Sequence, residues 1–413
     1  MFRKLLTFDE AQETIRKRFR PKPLGTEKIP LLEAHGRVLA EDVTSGLDVP
    51  PFNRSTVDGY AVIAEDTFGA NEKNPVRLVV CGMVNTGESP TVMMTNGRTF
   101  EIVTGAPMPK GADAVVMVED TEREGNRLSI SNPVAKDENF MKAGSDIKKG
   151  QTVLRTGAIL AAREIGVLAA VGRATPRVYL VPRVAVLSTG GEITQPGKRL
   201  PAGRIYDVNA YSLCAAVTES GGNPIHYGVV RDNRVALEMA LGGALASADA
   251  VVTSGGVSVG PRDLVPQTVG SLGKPGVVFS GVAIKPGKPI TFAVVDGKPV
   301  FSLPGHPASA LLVFHLFARP VVCGMAGRKA MKDPKVRAVA GMRMFPAKGR
   351  RTFVMVALRK DKQGRSVADP VEPGASGAIT TLAKADGFVE LAEDVQFVDE
   401  GEEVAVSLFK SLR

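Results

Sequence analysis

Residues 178–328 alternate short apolar runs with segments of helical character, and this rhythm limits the fold more than any other feature. Ala250, Val251 and Val252 form one such run, which stops at Thr253 and opens into a glycine turn. A chain that repeats strand, helix, strand builds a mostly parallel sheet with helices on both faces. The sequence therefore predicts a three-layer α/β/α domain within a multidomain α/β protein.

Three of the predicted strands end in loops of one chemical type: STGGE (188–192), TSGGVSVGPRD (253–263) and LPGHP (303–307). The carboxyl ends of parallel strands share one edge of the sheet, where ligands bind. Glycine amides in such turns form an anion site, to which serine hydroxyls can add donors. A tight turn without a ligand is the alternative for any one loop, and for His306 ligand contact and a local structural role stay open. The candidate ligand-binding residues are Ser188, Thr189, Gly190, Ser254, Gly255, Gly256, Ser258, Pro304, Gly305 and His306.

Three acidic residues are expected at the same edge. Glu192 and Asp263 lie on two of the loops, and Asp232 follows the predicted strand 225–230. Carboxylate oxygens together with substrate phosphates suit Mg²⁺. The alternatives are a helix N-cap for Asp232 and an exposed loop acid for Glu192.

The segment VAIKPGKPITF (282–292) supplies positive charge, since Lys285 and Lys288 flank a Pro-Gly turn. Arg350 and Arg351 follow a glycine at the start of a C-terminal strand, where an arginine fork could complete an oxyanion pocket. Solvated turn lysines are the alternative. Loops that offer both anion donors and a carboxylate suit a phosphorylated substrate carried with a divalent metal.

Composition excludes several classes of function. The net charge is +9, but the basic residues are dispersed, tryptophan is absent and aromatics make up 5%, which argues against nucleic acid. No apolar run approaches the roughly 18 residues that span a bilayer, and no signal peptide is evident. Three scattered cysteines suggest neither a disulfide framework nor a zinc site, and predict buried thiols in a reducing compartment. We therefore expect a cytoplasmic protein.

The length of 413 residues predicts several domains. We expect an elongated N-terminal domain from residues 1–50 and 146–177, a β-rich insertion at 51–145, the α/β domain at 178–328 and a C-terminal β-barrel or roll at 329–413. Local patterns predict a capping box at Thr7–Glu10, a strand over 37–43, and core positions for His226 and His315.

Motifs in chain order from one end of the sequence to the other resemble the molybdopterin molybdenumtransferase family, of the MoeA and gephyrin E-domain type. They are PPFNRSTVDGYAV, TGAPMPKGADAVV, GSDIKKG, STGGE, TSGGVSVGPRD, KPGKP, LPGHPASAL, GRRTF and GASGAITTLAKADG. The resemblance implies Mg²⁺-dependent insertion of molybdate into adenylyl-molybdopterin, giving molybdenum cofactor and AMP. It also implies a homodimer whose active site lies between the α/β domain of one subunit and the β-rich insertion of the other.

The resemblance also implies roles for individual residues. The active-site residues it carries over are Asp58, Thr104, Asp146, Glu192, Asp232 and Asp263, with Glu192 and Asp232 assigned to the metal and the other four to catalysis. The molybdate-pocket residues are Lys285, Lys288, Arg350 and Ser376. A molybdopterin adenylyltransferase and recipient molybdoenzymes are the implied partners.

This chain departs from the family pattern at five positions, which we expect to lie near the pocket. The family usually has an acid at Gly191, Asn at His306, an acid at Thr352 and Arg at Met355, and it often has a basic residue at Gly281. Two other functions are therefore considered. One is adenylyl transfer from ATP to molybdopterin, and the other is an inactive pterin-binding scaffold or a tungstate-specific paralogue.

Overall fold

The computed structural model describes residues 5–88, 90–91, 93–256, 264–329, 333–371 and 379–409. The chain divides into two compact units. The larger unit comprises Met1–Lys28, Gly36–Ala40 and Arg177–Arg413, and the smaller unit comprises Ile29–His35 and Glu41–Pro176.

A mixed six-stranded sheet lies at the centre of the larger unit. Its first four strands are parallel, and the fifth is antiparallel to the strands on both sides of it. The fourth and fifth strands are joined by a hairpin at Asp296-Gly297, where both residues have positive φ. The mostly parallel sheet predicted from the sequence is confirmed. Across the sheet the strands are Asn223–Val230, Arg183–Thr189, Ala250–Ser254, Lys298–Leu303, Thr291–Val295 and Pro275–Ser280.

Alternate residues of the central strands enter two separate hydrophobic cores, as the strand period of two requires. Val184 and Val186 contact one core, and Ala185 and Leu187 contact the other. Helices cover both faces, so the domain has three layers. The helices on the first face are Asn209–Glu219, Pro307–Val313 and Arg319–Met325, and those on the second are Arg234–Ser247 and Leu264–Ser271.

The expectation that no apolar run approaches a membrane-spanning length is wrong, because one helical run, Pro307–Met325, is long and apolar enough to cross a membrane by length and composition, with a mean hydropathy of 1.6. A π-helical turn at Phe314–Ala318 lies in its middle. About two thirds of it (67%) is buried inside the protein, and His315 and Arg319 interrupt its apolar sequence. It is therefore a core helix of the larger unit. No other candidate span occurs in the described ranges.

A closed β-barrel forms the C-terminal part of the larger unit, as predicted. The strand Arg351–Lys360 pairs on one side with Ser366–Pro370 and on the other with Gly387–Leu391, which closes the ring. The short strand Ile284–Lys285 adds to it in parallel. The remaining barrel strands are Lys335–Ala340 and Glu403–Leu408, and a short helix spans Thr380–Lys384.

The first helix, Phe8–Arg18, begins with the predicted capping box. Thr7 Oγ1 accepts from the Glu10 amide, and Glu10 Oε2 accepts from the Thr7 amide at 2.8 Å. The buried face of this helix (Phe8, Ala11 and Ile15) packs into the first-face core of the larger unit.

The smaller unit contains a second six-stranded sheet. The other described elements of the smaller unit are the helix Ala162–Ala170, three 3₁₀ turns and two short strand pairs. In order, the sheet strands are Ala114–Met117, Gly59–Val62, Arg98–Ile102, Val76–Val84, Arg127–Ile130 and Thr121–Glu124. The short pairs are Arg54–Ser55 with Phe140–Met141, and Val43–Thr44 with Thr152–Leu154.

Three local predictions are wrong. The predicted strand over residues 37–43 does not form. These residues make only isolated bridges and the first residue of the strand Val43–Thr44. His226 is exposed on an edge strand, against the ring of Tyr211, and Cys81 is exposed rather than buried. The strand of His226 has a neighbouring strand on one side only, and the sequence pattern did not distinguish this edge strand from a central one.

Candidate functional site

The three predicted loops meet at the carboxyl edge of the sheet. We call them the STGGE loop (188–192), the SGG loop (254–256) and the PGH loop (304–306). The Gly255 amide donates to the Leu303 carbonyl at 3.1 Å, and Thr189 Oγ1 donates to the Ser254 carbonyl at 3.4 Å. Hydrogen bonds therefore fix the SGG loop between its two neighbours.

Glycine is required at two positions of the SGG loop. Gly255 has φ +88°, and a Cβ there would lie 2.4 Å from the Thr189 carbonyl oxygen. Gly256 has φ +65°, and a Cβ would lie 2.9 Å from Thr189 Oγ1. Both values fall in the left-handed region, which disfavours other residues. The loop backbone can thus approach its neighbour closely and present amides without side chains.

The expectation that Ser254 adds a hydroxyl donor to an anion is wrong for this structure. Ser254 is 1% exposed, and its hydroxyl donates to the Pro304 carbonyl at 3.1 Å. Ser188 is fully buried and donates to Asp207 Oδ1 at 2.9 Å. The hydroxyl hydrogens of Ser188 and Ser254 are therefore used within the protein in this structure.

Two buried polar residues at this edge were missed by the sequence analysis. Asp207 accepts from Ser188 Oγ and, at 3.0 Å, from the Ala210 amide. Asn209 Nδ2 donates at 2.7 Å to both Ser254 Oγ and the Gly305 carbonyl. An Asp-x-Asn pair at a helix start is a recognisable capping signal, but its partners lie far along the chain.

Two of the predicted acidic residues, Glu192 and Asp232, are exposed. Asp232 is not the N-cap of the following helix, because the side chain of Asn233 accepts the capping bond from Ala236 at 2.9 Å. A Cβ at Gly256 would lie 3.7 Å from Asp232 Oδ1, and a Cβ at Gly190 would lie 2.8 Å from Glu192 Oε2.

Both carboxylates therefore lie against the glycine loops. No group of three potential metal ligands occurs in the part of the chain that the structure describes. Ser258, Asp263 and Ser376 lie outside the described residues, so the three-acid metal site predicted with Asp263 stays a prediction.

The KPGKP turn (285–289) lies at the same edge. Thr291 is paired with Ser302 in the antiparallel hairpin, and Lys288 is three residues before Thr291. The KPGKP turn therefore enters the strand Thr291–Val295 at the end of the sheet where the neighbouring strand, Lys298–Leu303, leads into the PGH loop. A Cβ at Gly287 (φ +106°) would lie 2.3 Å from Val313 Cγ2, so the turn packs tightly on the helix that follows the PGH loop.

Arg350 is placed beside this turn by the barrel. Arg351 and Thr352 pair in parallel with Ile284 and Lys285, so Arg350 lies one residue before this pairing. Thr352 Oγ1 accepts from the Ala347 amide at 2.9 Å and donates to the Arg350 carbonyl at 3.2 Å. Thr352, one of the departures from the family pattern, thus holds the turn that carries Arg350.

The other departures have different surroundings. Gly191 is exposed with open space around its Cβ position, whereas a Cβ at Gly281 (φ +88°) would lie 2.6 Å from Leu5 Cδ2. His306 is exposed at the N-terminus of the helix Pro307–Val313. Met355 is buried in the hydrophobic core, so this departure concerns packing rather than an exposed pocket surface.

In the smaller unit, Asp58 and Thr104 are in direct contact. Asp58 Oδ1 accepts from the Thr104 amide at 2.6 Å and from its hydroxyl at 2.8 Å. These bonds, the backbone one first, lower the pKa of Asp58 below its ordinary value. Asp58 is therefore held as a carboxylate near neutral pH.

Asp146 is exposed, and its segment is hydrogen-bonded to residues 49–53, which precede Asp58 in the chain. Its amide donates to the Val49 carbonyl at 3.1 Å, and Asn53 Oδ1 accepts from the Ala143 amide at 2.8 Å. Asn53, in the PPFNRST motif, was not predicted as a site residue, and its side chain accepts a hydrogen bond from the segment that leads to Asp146.

Three family models match successive parts of the chain. They describe the MoeA N-terminal region (domain I and II) at residues 6–172, a probable molybdopterin binding domain at 185–323, and the MoeA C-terminal region (domain IV) at 337–409.

Similar proteins cover nearly the whole chain. Molybdopterin molybdenumtransferase 2 of Mycobacterium tuberculosis is 36% identical over 92% of this chain and 94% of its own. Molybdopterin molybdenumtransferase of Haemophilus influenzae is 34% identical over 99% and 100%. A crystal structure of the molybdopterin biosynthesis MoeA protein from Pyrococcus horikoshii matches with a TM-score of 0.85 and 42% identity, covering 99% of this chain and 100% of that one.

Proposed function

The chain belongs to the molybdopterin molybdenumtransferase family, of the MoeA type, and from this premise we propose that it inserts molybdate into adenylyl-molybdopterin, yielding molybdenum cofactor and AMP. Two of the curated relatives that cover most of the chain carry the transferase name. The substrate's adenylylated state and the release of AMP are our proposal.

The observation that carries the proposal is the meeting of anion-binding and cationic elements at one sheet edge. The edge carries the three glycine loops and the KPGKP turn. The turn before Arg351 lies beside the KPGKP turn, because Arg351 and Thr352 pair with Ile284 and Lys285. Backbone amides of the loops suit the pyrophosphate of the substrate. Lys285, Lys288 and Arg350 would bind the tetrahedral oxyanion, because ammonium and guanidinium groups donate charge-assisted hydrogen bonds to it.

Magnesium fits the donors that are described. Glu192 and Asp232 are exposed hard-oxygen ligands against two of the loops, and Mg²⁺ takes one or two carboxylates while substrate phosphates and water supply the rest. These two residues would hold the ion, with Asp263 as the third candidate. When bound, Mg²⁺ neutralises charge on the pyrophosphate and so favours departure of AMP.

The residues of the smaller unit have a separate proposed role. Asp58 is kept ionised by Thr104, so it can accept a proton or orient water during the reaction. We propose that the active unit is a homodimer in which Asp58, Thr104 and Asp146 act on a substrate held by the partner. A cytoplasmic location, an adenylyltransferase that supplies the substrate and recipient molybdoenzymes belong to the same proposal.

The dimer proposal has a direct test. Mixed dimers of Asp58→Ala and Lys285→Met chains would contain one intact site and regain part of the activity. No recovery on subunit exchange would contradict a shared site.

The experiment for the function measures AMP release from adenylyl-molybdopterin with molybdate and Mg²⁺. We expect release by the wild-type protein and a loss of at least about tenfold in Lys285→Met, since one charge-assisted contact is worth that much. The matched control is Lys362→Met, an exposed lysine in the barrel turn after Lys360, which should leave the rate unchanged.

Three results would contradict the proposal. The first is no AMP release with either molybdate or tungstate, which would support a binding scaffold. The second is consumption of ATP with non-adenylylated molybdopterin, which would assign adenylyl transfer instead. The third is release with tungstate alone, which would replace molybdate as the substrate.

A further inference from the structure

A buried chain of hydrogen bonds connects the helix Asn209–Glu219 to two of the three loops. Asn209 Nδ2 donates to Ser254 Oγ at 2.7 Å, and the Ser254 hydroxyl donates onward to the Pro304 carbonyl at 3.1 Å. The same nitrogen donates to the Gly305 carbonyl at 2.7 Å. The side chain of Asn209 therefore joins the SGG loop and the PGH loop at two points.

The donor pattern identifies the group that makes these bonds. The Gly305 carbonyl can only accept, so the atom facing it must be the amide nitrogen of Asn209. That nitrogen has two hydrogens, and its two partners use both. A carboxylate of the same size would offer no hydrogen to either partner. An asparagine is thus suited to this position by its donors as well as its volume.

Burial makes these bonds consequential. Asn209 is 7% exposed and Ser254 is 1% exposed. A buried polar group that loses its partner costs more than an exposed one, because water cannot replace the lost bond. Removing the amide would leave the Gly305 carbonyl and the Ser254 hydroxyl with fewer partners, and the two loops could move relative to each other.

A second network ties in the STGGE loop. Asp207, 3% exposed, accepts from Ser188 Oγ, and Ser188 belongs to that loop. Asp207 also accepts from the Ala210 amide of the helix that carries Asn209. The start of one helix therefore contacts all three loops through two side chains.

We infer that Asn209 is a positioning residue, which sets the spacing of the SGG and PGH loops so that their backbone amides bind the diphosphate of the substrate. Asn209 acts through Ser254 and the Gly305 carbonyl and does not itself contact the reacting atoms. This inference rests on the proposed function for the identity of the diphosphate, and its first test uses inorganic pyrophosphate so that binding is measured without turnover.

The test compares four variants of the full chain by calorimetric titration with pyrophosphate. In Asn209→Ala the dissociation constant should rise about tenfold or more, and Asn209→Asp should match or exceed this rise because it keeps the volume and loses both donors. Ser254→Ala should also weaken binding. In the double variant Asn209→Ala/Ser254→Ala the effects should not add, since both changes interrupt the same chain of bonds.

The control is Ser220→Ala. Ser220 is 2% exposed, and its hydroxyl donates to the Ala216 carbonyl at 2.6 Å at the other end of the same helix. Losing this buried bond should lower the melting temperature without changing the pyrophosphate dissociation constant. A role for Asn209 in stability alone would make Asn209→Ala behave like Ser220→Ala.

Turnover separates this inference from the proposed function. In an active enzyme, Asn209→Ala should raise KM for adenylyl-molybdopterin more than it lowers kcat, because the loops bind the diphosphate before the reaction as well as during it. Wild-type protein that binds pyrophosphate but releases no AMP would contradict the function and leave the binding comparison to decide on Asn209.

Three results would each overturn the inference: absence of pyrophosphate binding by the wild type, an unchanged dissociation constant in Asn209→Ala, or additive effects in the double variant. Should Asn209→Ala not fold, Ser254→Ala and Asn209→Asp give the same decision.

Discussion

Arg351 and Asp9 are joined by two hydrogen bonds, of 3.0 and 2.8 Å, although 342 residues separate them in the chain. The Arg351 guanidinium also contacts Glu393 at 3.0 Å and lies 5.2 Å from the centre of the Phe8 ring. Burial opposes its charge, but the hydrogen bonds that Arg351 donates to Asp9 and Glu393 outweigh burial and raise the pKa of Arg351. This arginine therefore fastens the first helix to the barrel.

Adjacent arginines should therefore respond differently to substitution. Arg351→Met should lower the free energy of unfolding by about 1–2 kcal/mol, as expected for a multiply bonded, mostly buried arginine with partly exposed partners. Arg350→Met should leave stability unchanged and slow AMP release at low molybdate concentration. Thermal unfolding and a molybdate titration measure the two effects. Equal effects of both variants on stability would contradict this division of roles.

The ion pair of Asp333 predicts an acid-sensitive stability. Burial alone would raise the pKa of Asp333, but hydrogen bonds from His315 (2.8 Å) and Arg319 (2.5 Å) outweigh it and lower the pKa to about 2. A carboxyl whose folded pKa is depressed stabilises the fold above its unfolded pKa, and this contribution is lost as the pH falls towards the folded pKa. We expect the loss between about pH 4 and 2, with a size of about 1–2 kcal/mol.

The comparison for this prediction is Asp333→Asn, followed by acid titration of the melting temperature. The variant should be less stable than wild type at pH 7, and the difference should shrink as the pH falls to 2. A difference that stays constant over this range would show that Asp333 does not supply the acid sensitivity.

The STGGE loop should tolerate a side chain at Gly191, whereas the SGG loop should not tolerate one at Gly255. Gly191→Asp restores the acid that is usual in the family, and its Cβ enters open space, so stability should change by less than about 0.5 kcal/mol. Gly255→Ala places a Cβ 2.4 Å from the Thr189 carbonyl oxygen at a positive φ, which should cost about 1–3 kcal/mol and reduce AMP release. Melting temperatures and initial rates of both variants check this. A fully active, stable Gly255→Ala would show that the SGG loop does not need its close approach.

Thr104 should tune the titration of Asp58. Thr104→Val keeps the backbone amide and removes the hydroxyl bond to Asp58 Oδ1, so the pKa of Asp58 should rise part of the way to its ordinary value. Where the ionised form is required, the acid limb of the pH–rate profile for AMP release moves to higher pH. Thr104→Ser keeps the hydroxyl and should retain the wild-type profile. An unmoved acid limb in Thr104→Val would exclude Asp58 as the group that titrates there.

Much of the fold follows from local sequence signals. The apolar strands and the Asp296-Gly297 turn predict the α/β sheet, because strand period and turn chemistry depend on neighbouring residues. The capping box at Thr7 and Glu10 is confirmed for the same reason. The loops at the sheet edge could be predicted because parallel strands end on one side.

The direction of polar side chains could not be predicted in this way. Ser254 looked like an anion donor, but its hydroxyl is directed by Asn209 and Pro304, which are 45 and 50 residues away. The N-cap is Asn233 rather than Asp232, a one-residue difference between two good capping residues that sequence preference cannot decide. Partners distant in the chain, and single-residue offsets at helix ends, account for these errors.

The oxyanion pocket is tested most directly by anomalous diffraction from crystals of the full chain soaked with molybdate. The account predicts one strong peak within hydrogen-bonding distance of Lys285, Lys288 and Arg350, which is lost in Lys285→Met crystals and retained in Lys362→Met crystals. A peak that forms away from these three side chains, or that persists in Lys285→Met, would contradict it.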